Sequence, residues 1–422
     1  MKTKILLILI VSIFMWSCDN SNSKERTKVT AKEILGNPDY LAISYGGYRT
    51  TTRDVQPTVE QLKDDMKIIH AMGIRIIRTY NVQLQQAPNI LKAITELKAE
   101  DENFEMYVML GAWIDCKNAW TDQAPDHEVE SEQNEGEIAR AVALANQYPD
   151  IVKVIAVGNE AMVKWAASYY VQPWVILKWV NHLQNLKKEG KLPKDLWITS
   201  SDDFSSWGGG DPVYHVKDLE DLIKAVDYIS FHTYPYHNSH YNPDTFWHYP
   251  AELDNEHDSI KAKTGMKQAI EFAQRQYDSV TNYMKSLGVN KPVHIGETGW
   301  ATVSNGYYGP GGSQASDEYK KGLYYKYMRE WTNSAGISCF YFEAFDEPWK
   351  DAHNGKGSEN HFGLITVDGK AKYPLWDLVD QGIFEGLTRD GNPITKTYDG
   401  NRDTLMLEVL PPPRKQEMSE AH

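Results

Sequence analysis

Between about residues 40 and 382, short apolar runs rich in Val, Ile and Leu alternate with longer stretches whose apolar residues recur every three to four positions. A continuous apolar run marks a buried strand, and a 3.6-residue period marks a helix with one buried face. The strand-like runs lie at 41–46, 74–80, 106–113, 152–157, 196–200, 226–232, 293–296 and 338–344. In the first helix, Thr58 and Gln61 can each satisfy a free amide as a capping box. Leu62, Met66 and Ile69 continue at helical spacing, and Gly73 is a natural stop. Pro88 opens a second helix, with Ile90, Leu91, Ile94 and Leu97 on one face. Further helices are predicted over 137–147, 174–188 and 219–225, up to about 287, over 317–331, and from Pro374. Residues 208–212 read as a locally flexible loop, and 237–264 as a long polar insertion without a period.

Eight strand signals alternating with helices predict a (β/α)8 TIM barrel. Strands that are apolar on both faces fit a buried parallel sheet. A doubly wound open sheet is the alternative, but no glycine-rich phosphate loop follows the first strand. In a barrel, functional groups emerge at the C-terminal ends of the strands.

The flanks read differently. Basic Lys2 and Lys4 precede an apolar stretch over 5–16, then Ser17-Cys18 and a polar run. That is a signal peptide, too short for a membrane span. The small residue before cysteine resembles a bacterial lipobox, so residues 1–17 are expected to be removed and Cys18 lipidated. The alternative is a plain secretory signal with a chance cysteine. Residues 18–38 then form a flexible tether and 39–382 the catalytic barrel. Residues 383–422 form a C-terminal extension, with a hairpin around Asp390-Gly391-Asn392 and a disordered tail from Pro411. The expected location is the cell envelope, lipid-anchored to the outer membrane on its periplasmic or surface side.

The net charge is −14, from 44 basic and 58 acidic residues, with no basic block to track a phosphate backbone. Nucleic acid is therefore not an expected partner. Apart from Cys18, only Cys116 and Cys339 remain, too few for a disulfide framework, and both read as buried thiols near strand ends. Metal-ligand spacings such as CxxC or HExxH are missing from the sequence, so neither a metal nor an organic cofactor is expected. Thirteen Trp and 25 Tyr are enough to supply flat platforms for sugar faces as well as packing.

Two carboxylates carry the candidate chemistry. Glu160 closes Val-Lys-Val-Ile-Ala-Val-Gly-Asn-Glu, and Glu297 lies in Val-His-Ile-Gly-Glu-Thr-Gly-Trp. Each follows an apolar run and a glycine, at the ends of strands four and seven, across the barrel mouth from each other. Retaining glycoside hydrolysis needs such a pair, one acid/base and one nucleophile, about 5–5.5 Å apart.

With these pieces, Gly73-Ile74-Arg75, Arg78-Thr79-Tyr80, Gly158-Asn159-Glu160, Gly296-Glu297-Thr298-Gly299-Trp300, 342–350 and 359–364, the chain resembles glycoside hydrolase family 17, the β-1,3-glucanase family. The resemblance runs from Tyr45 to about Asp377. It implies that Glu160 is the acid/base and Glu297 the nucleophile. It also implies that Asn159 bonds a sugar 2-hydroxyl and Tyr234 donates to the nucleophile. Tyr80 would line the −1 sugar site, and Glu347, Lys350 and Glu359 would bond sugar hydroxyls or tune Glu297. His232 is either a site hydrogen bond or a satisfied core histidine. Trp300 and Trp349 are candidate platforms, with Trp113, Trp120 and Trp207 as further ones. The structural alternatives are a helix cap for Glu160, an ion pair for Glu297, a packing aromatic for Tyr80 and a surface salt bridge for Glu347 and Lys350. The implied activity is endo-type cleavage of β-1,3-glucan such as laminarin, with a β-glucan as partner. A transglycosylase on the same fold, a retaining hydrolase for other β-glucans and a non-catalytic glycan-binding lipoprotein are the rivals.

Overall fold

Eight parallel strands close on themselves in a computed structural model that describes residues 29–415. The strands are β1 (Leu41–Ser44), β2 (Ile74–Arg78), β3 (Tyr107–Ala112), β4 (Val152–Asn159), β5 (Trp197–Asp203), β6 (Ile229–His232), β7 (Val293–Gly299) and β8 (Cys339–Phe342). Each pairs with its sequence neighbours, and β8 pairs back onto β1. A helix follows every strand, so the predicted (β/α)8 barrel is the observed fold. The capping box at Thr58 forms: Thr58 Oγ1 accepts from Gln61 N at 3.2 Å, and Gln61 Oε1 accepts from Thr58 N at 3.1 Å. The hairpin at 390–392 also forms, with Thr388–Arg389 antiparallel to Asn392–Pro393. Cys116 and Cys339 are buried free thiols.

Four differences have clear physical causes. The expected tether boundary at residue 38 does not hold, because Ala31–Ile34 is helical and Ala31 and Ile34 are fully buried. They pack with Ala42, Ile76, Val154 and Phe340 in a cluster separate from the strand–helix core, closing one end of the barrel. The tail is ordered as far as Lys415: Tyr249 N donates to Pro413 O and Lys415 N to Tyr249 O, at 3.0 and 2.8 Å. This strap pins the polar insertion, which also buries Phe246 and Trp247. The 208–212 loop is packed rather than loose, since a side chain at Gly208 would collide with the Tyr283 ring. Finally, β3 runs into an unforeseen antiparallel pair, Cys116–Lys117 with Asp126–Glu130.

The signal peptide, Cys18 and residues 416–422 lie outside the described residues. Among the described residues, no helix is long and apolar enough to cross a membrane.

Candidate active site

The ends of β4 and β7 bring the two glutamates together. Gly158 at the end of β4 has φ +81°, and Glu160 itself is left-handed at φ 48°. A non-glycine residue seldom adopts that conformation without a functional or structural demand. Here the turn leaves the Glu160 amide donating to Ser201 O at 3.0 Å. On β7, Gly296 precedes Glu297 because a side chain there would collide with the hydroxyls of Ser201 and Ser230 inside the barrel. One carboxylate oxygen of Glu160, one of Glu297 and a ring nitrogen of His232 all lie within 4.8 Å of one another.

The surroundings of the two carboxyls differ sharply. Arg78 Nη1 donates to Glu297 Oε2 at 2.5 Å, Tyr80 Oη to the same oxygen at 3.0 Å, and Tyr234 Oη to Oε1 at 2.6 Å. Burial opposes the charge on Glu297. The charges of His232, Arg78 and Lys350 and the Tyr234 hydroxyl outweigh burial and hold the carboxyl down at about 2. Burial also holds His232 at about 4, so this ring is neutral near pH 7. The permanent guanidinium of Arg78 is then the main stabiliser of the Glu297 charge. Glu160 is pushed well above the ordinary carboxylate range, first by burial, then by the charges of Glu297 and Asp203. Its Oε1 lies 3.0 Å from His232 Nδ1, whose other nitrogen lies 2.8 Å from Ser201 Oγ. The surroundings therefore favour a proton on Glu160 and a negative charge on Glu297.

Burial of Glu160 has a consequence for stability. A carboxyl whose pKa rises on folding stabilises the fold below its unfolded value of about 4.3, and that contribution is lost as pH climbs through the folded value. Glu160→Gln is therefore expected to melt above the wild type at pH 8, with the gap closing near pH 4, as read by scanning calorimetry.

The remaining candidates divide. Asn159 is held by Arg78, whose Nη2 donates to its Oδ1 at 2.5 Å. Lys350 bridges Glu343 and Glu347 at 3.2 and 3.4 Å, and Glu347 Oε1 also accepts from Tyr48 N at 3.0 Å. The Lys350 charge reaches Glu297. Glu347 and Lys350 thus belong to a largely enclosed network whose charge reaches Glu297, not to a surface salt bridge. Glu359 lies in the turn Ser358–His361, and its charge reaches both Glu160 and His237. Trp349 has the Arg53 guanidinium over its ring at 4.3 Å. Trp300 needs correction as a sugar platform. It is fully buried among Tyr236, Trp247 and Tyr324, with its indole N–H donating to Ala315 O at 2.8 Å. Trp207 is likewise a core residue, bonded to Ser230 O at 2.9 Å.

The sequence pattern alone assigns Arg78 no role, although an arginine directly after Ile76-Ile77 at the end of a strand is the available signal. It is 1% exposed, which fits a group that must carry charge inside the barrel. Asp202 was also missed. It is buried, accepts from Met162 N at 2.7 Å and Ser206 Oγ at 2.6 Å, and so fixes the loop that follows Glu160.

A half-buried carboxyl facing a buried carboxylate across the C-terminal mouth of a (β/α)8 barrel defines a glycoside hydrolase. The chain belongs to the BtgE/BtgC glycoside hydrolase family, whose domain it matches over residues 42–363. It is 69% identical to an endo-laminarinase of known structure from Formosa Hel1_33_131, with a TM-score of 0.92, over 93% of this chain and 100% of that one. It is 23% identical over 361 residues to the probable glucan endo-1,3-beta-glucosidase btgC of Aspergillus flavus, covering 81% of this chain and 44% of that protein. The chain thus spans less than half the length of this fungal relative. A Rhizomucor miehei beta-1,3-glucanosyltransferase, solved as an active-site mutant in complex with laminaritriose, shares the fold at 19% identity and a TM-score of 0.54, over 80% of this chain and 96% of that one.

Proposed function

We propose that the chain hydrolyses β-1,3-glucosidic bonds within glucan chains such as laminarin, with retention of anomeric configuration. The observation that carries this is the pair Glu160 and Glu297, with carboxylate oxygens within 4.8 Å of each other and surroundings that push the two carboxyls in opposite directions. So close an approach supports the retaining arrangement, in which the second carboxylate attacks directly, over the wider separation that inversion needs for a water. The 69% identity along the whole Formosa endo-laminarinase supports the substrate class and the endo mode.

In the first step the Glu297 carboxylate attacks the anomeric carbon. The bond from that carbon to the glycosidic oxygen breaks as Glu160 gives this oxygen its proton. The leaving sugar departs with a free hydroxyl, and a glycosyl ester remains on Glu297. In the second step ionised Glu160 takes a proton from water, whose oxygen attacks the same carbon and releases Glu297. The burial of Glu160 suits both steps. It keeps the proton on the acid while Glu297 is charged, and the acid becomes easier to ionise once esterification has removed that charge.

Digestion of laminarin, followed by product size, tests the reading. Early release of oligosaccharides of mixed length is expected. Glucose alone, elongated chains or an untouched polymer would overturn it.

The proposal extends to location. A basic start, an apolar stretch and Ser17-Cys18 support lipidation of Cys18 and tethering of the enzyme to the cell-envelope membrane. In cells, Cys18→Ser is expected to move most of the activity from the membrane fraction to the soluble fraction. Unchanged fractionation would leave Cys18 without this role.

A further inference from the structure

We propose that Trp113, Trp120 and Tyr169 form a shelf that binds the leaving-group side of the glucan chain, making the enzyme favour long substrates. The inference rests on the glucanase reading above.

The shelf is built separately from the barrel core. Val163, Ala166 and Tyr169 of the loop after β4 pack with Trp113 and Ala119 in a small cluster of their own. Trp113 directly follows β3, Trp120 lies in the loop between Cys116–Lys117 and Asp126–Glu130, and Cys116 N donates to Tyr169 O at 3.1 Å to join this segment to the loop after β4. The rings of Trp120 and Tyr169 stack at 5.0 Å and 23°, and Trp113 lies 5.2 Å from Tyr169. Trp120 is nevertheless 63% exposed. Its backbone is left-handed, φ 61°, a conformation a bulky residue adopts only when its surroundings enforce it. An indole pinned in this way against a tyrosine, with most of its surface facing solvent, leaves an apolar ring available to a ligand.

The chemistry of β-linked glucose fits that ring. Its hydroxyls are equatorial, so each face of the pyranose presents C–H groups, which stack on an aromatic plane. The acid fixes the direction. Glu160 must touch the glycosidic oxygen, so the sugars beyond it belong to the leaving group. Tyr169 follows Glu160 by only nine residues, and Val171 N donates to Ala161 O at 2.7 Å, which folds the loop carrying Tyr169 back beside the acid. The shelf therefore continues the site from the acid outward.

The test compares wild type, Trp120→Ala and Trp120→Phe on laminarihexaose labelled at its reducing end and on 4-nitrophenyl β-laminaribioside. Loss of one stacked sugar is expected to lower kcat/KM on the hexasaccharide about tenfold in Trp120→Ala. This loss should exceed that on the aryl glycoside at least about fivefold, with Trp120→Phe recovering most of it. The label should show cleavage moving toward the reducing end, because fewer sugars are then held beyond the acid. An unchanged cleavage pattern, or equal losses on both substrates, would overturn the shelf. A wild type inert on every β-1,3-glucan would instead remove the glucanase reading and the shelf with it.

Discussion

Glu297→Ala is expected to lower kcat on laminarin by at least about four orders of magnitude, in line with the loss of other catalytic nucleophiles. Three donors converge on this carboxylate, from Arg78, Tyr80 and Tyr234. The variant also strands the Arg78 charge in a buried setting, which costs about 3–5 kcal/mol where a buried pair is broken. A folded but inactive protein must therefore be distinguished from an unfolded one, by circular dichroism at the assay temperature. Azide supplies the sharper control. It fits where the carboxylate was, and on an activated aryl β-glucoside it should restore turnover with an α-glycosyl azide as product. Residual turnover above about one per cent without azide would mean that another group is the nucleophile.

Arg78→Met should have the second largest effect, about 10²–10³-fold on kcat/KM, the range seen when one preorganised donor to reacting charge is removed. Its guanidinium spans Glu297, Asn159 and the carbonyl of Gly296, the last at 3.0 Å. Lysine cannot reproduce this fork, so Arg78→Lys should recover little. The pH profile gives the sign. Glu297 works ionised, and Arg78 is one of the groups that hold its carboxyl at about 2. Without the guanidinium that carboxyl rises, so the acid limb of kcat/KM must move to higher pH. An acid limb that stays in place, or moves lower, would show that Arg78 does not set the charge of Glu297.

Much of the barrel was legible because its strands are continuous apolar runs, and because the caps and stops at Thr58 and Gly73 have local causes. Boundaries moved where tertiary pairing extended an element. β4 runs on to Asn159, next to Glu160, and β7 runs through Glu297, since register with β5 and β6 continues there. His232 faces Glu297 across the β6–β7 register, which no spacing in the sequence shows. Glu160 and Glu297 were readable as strand-end carboxylates. Arg78 was not, because a charge at the end of an apolar run reads equally well as the point where a strand meets solvent. Trp300 misled for the opposite reason. Its place beside the Glu297 motif suggested contact with sugar, whereas alternation along the chain turns it into a cluster with Tyr236 and Trp247. The shelf tryptophans flank a strand of only two residues, Cys116–Lys117, and two residues carry too little periodicity to be recognised.

The most direct test is a proton NMR time course of laminarin oligosaccharides with the wild-type enzyme, recorded in the first minutes before the new ends mutarotate. Retention through a glycosyl ester on Glu297 requires the β-anomer signal of the new reducing ends to rise first and the α signal to follow slowly. An α signal that appears first would contradict the double displacement by Glu160 and Glu297.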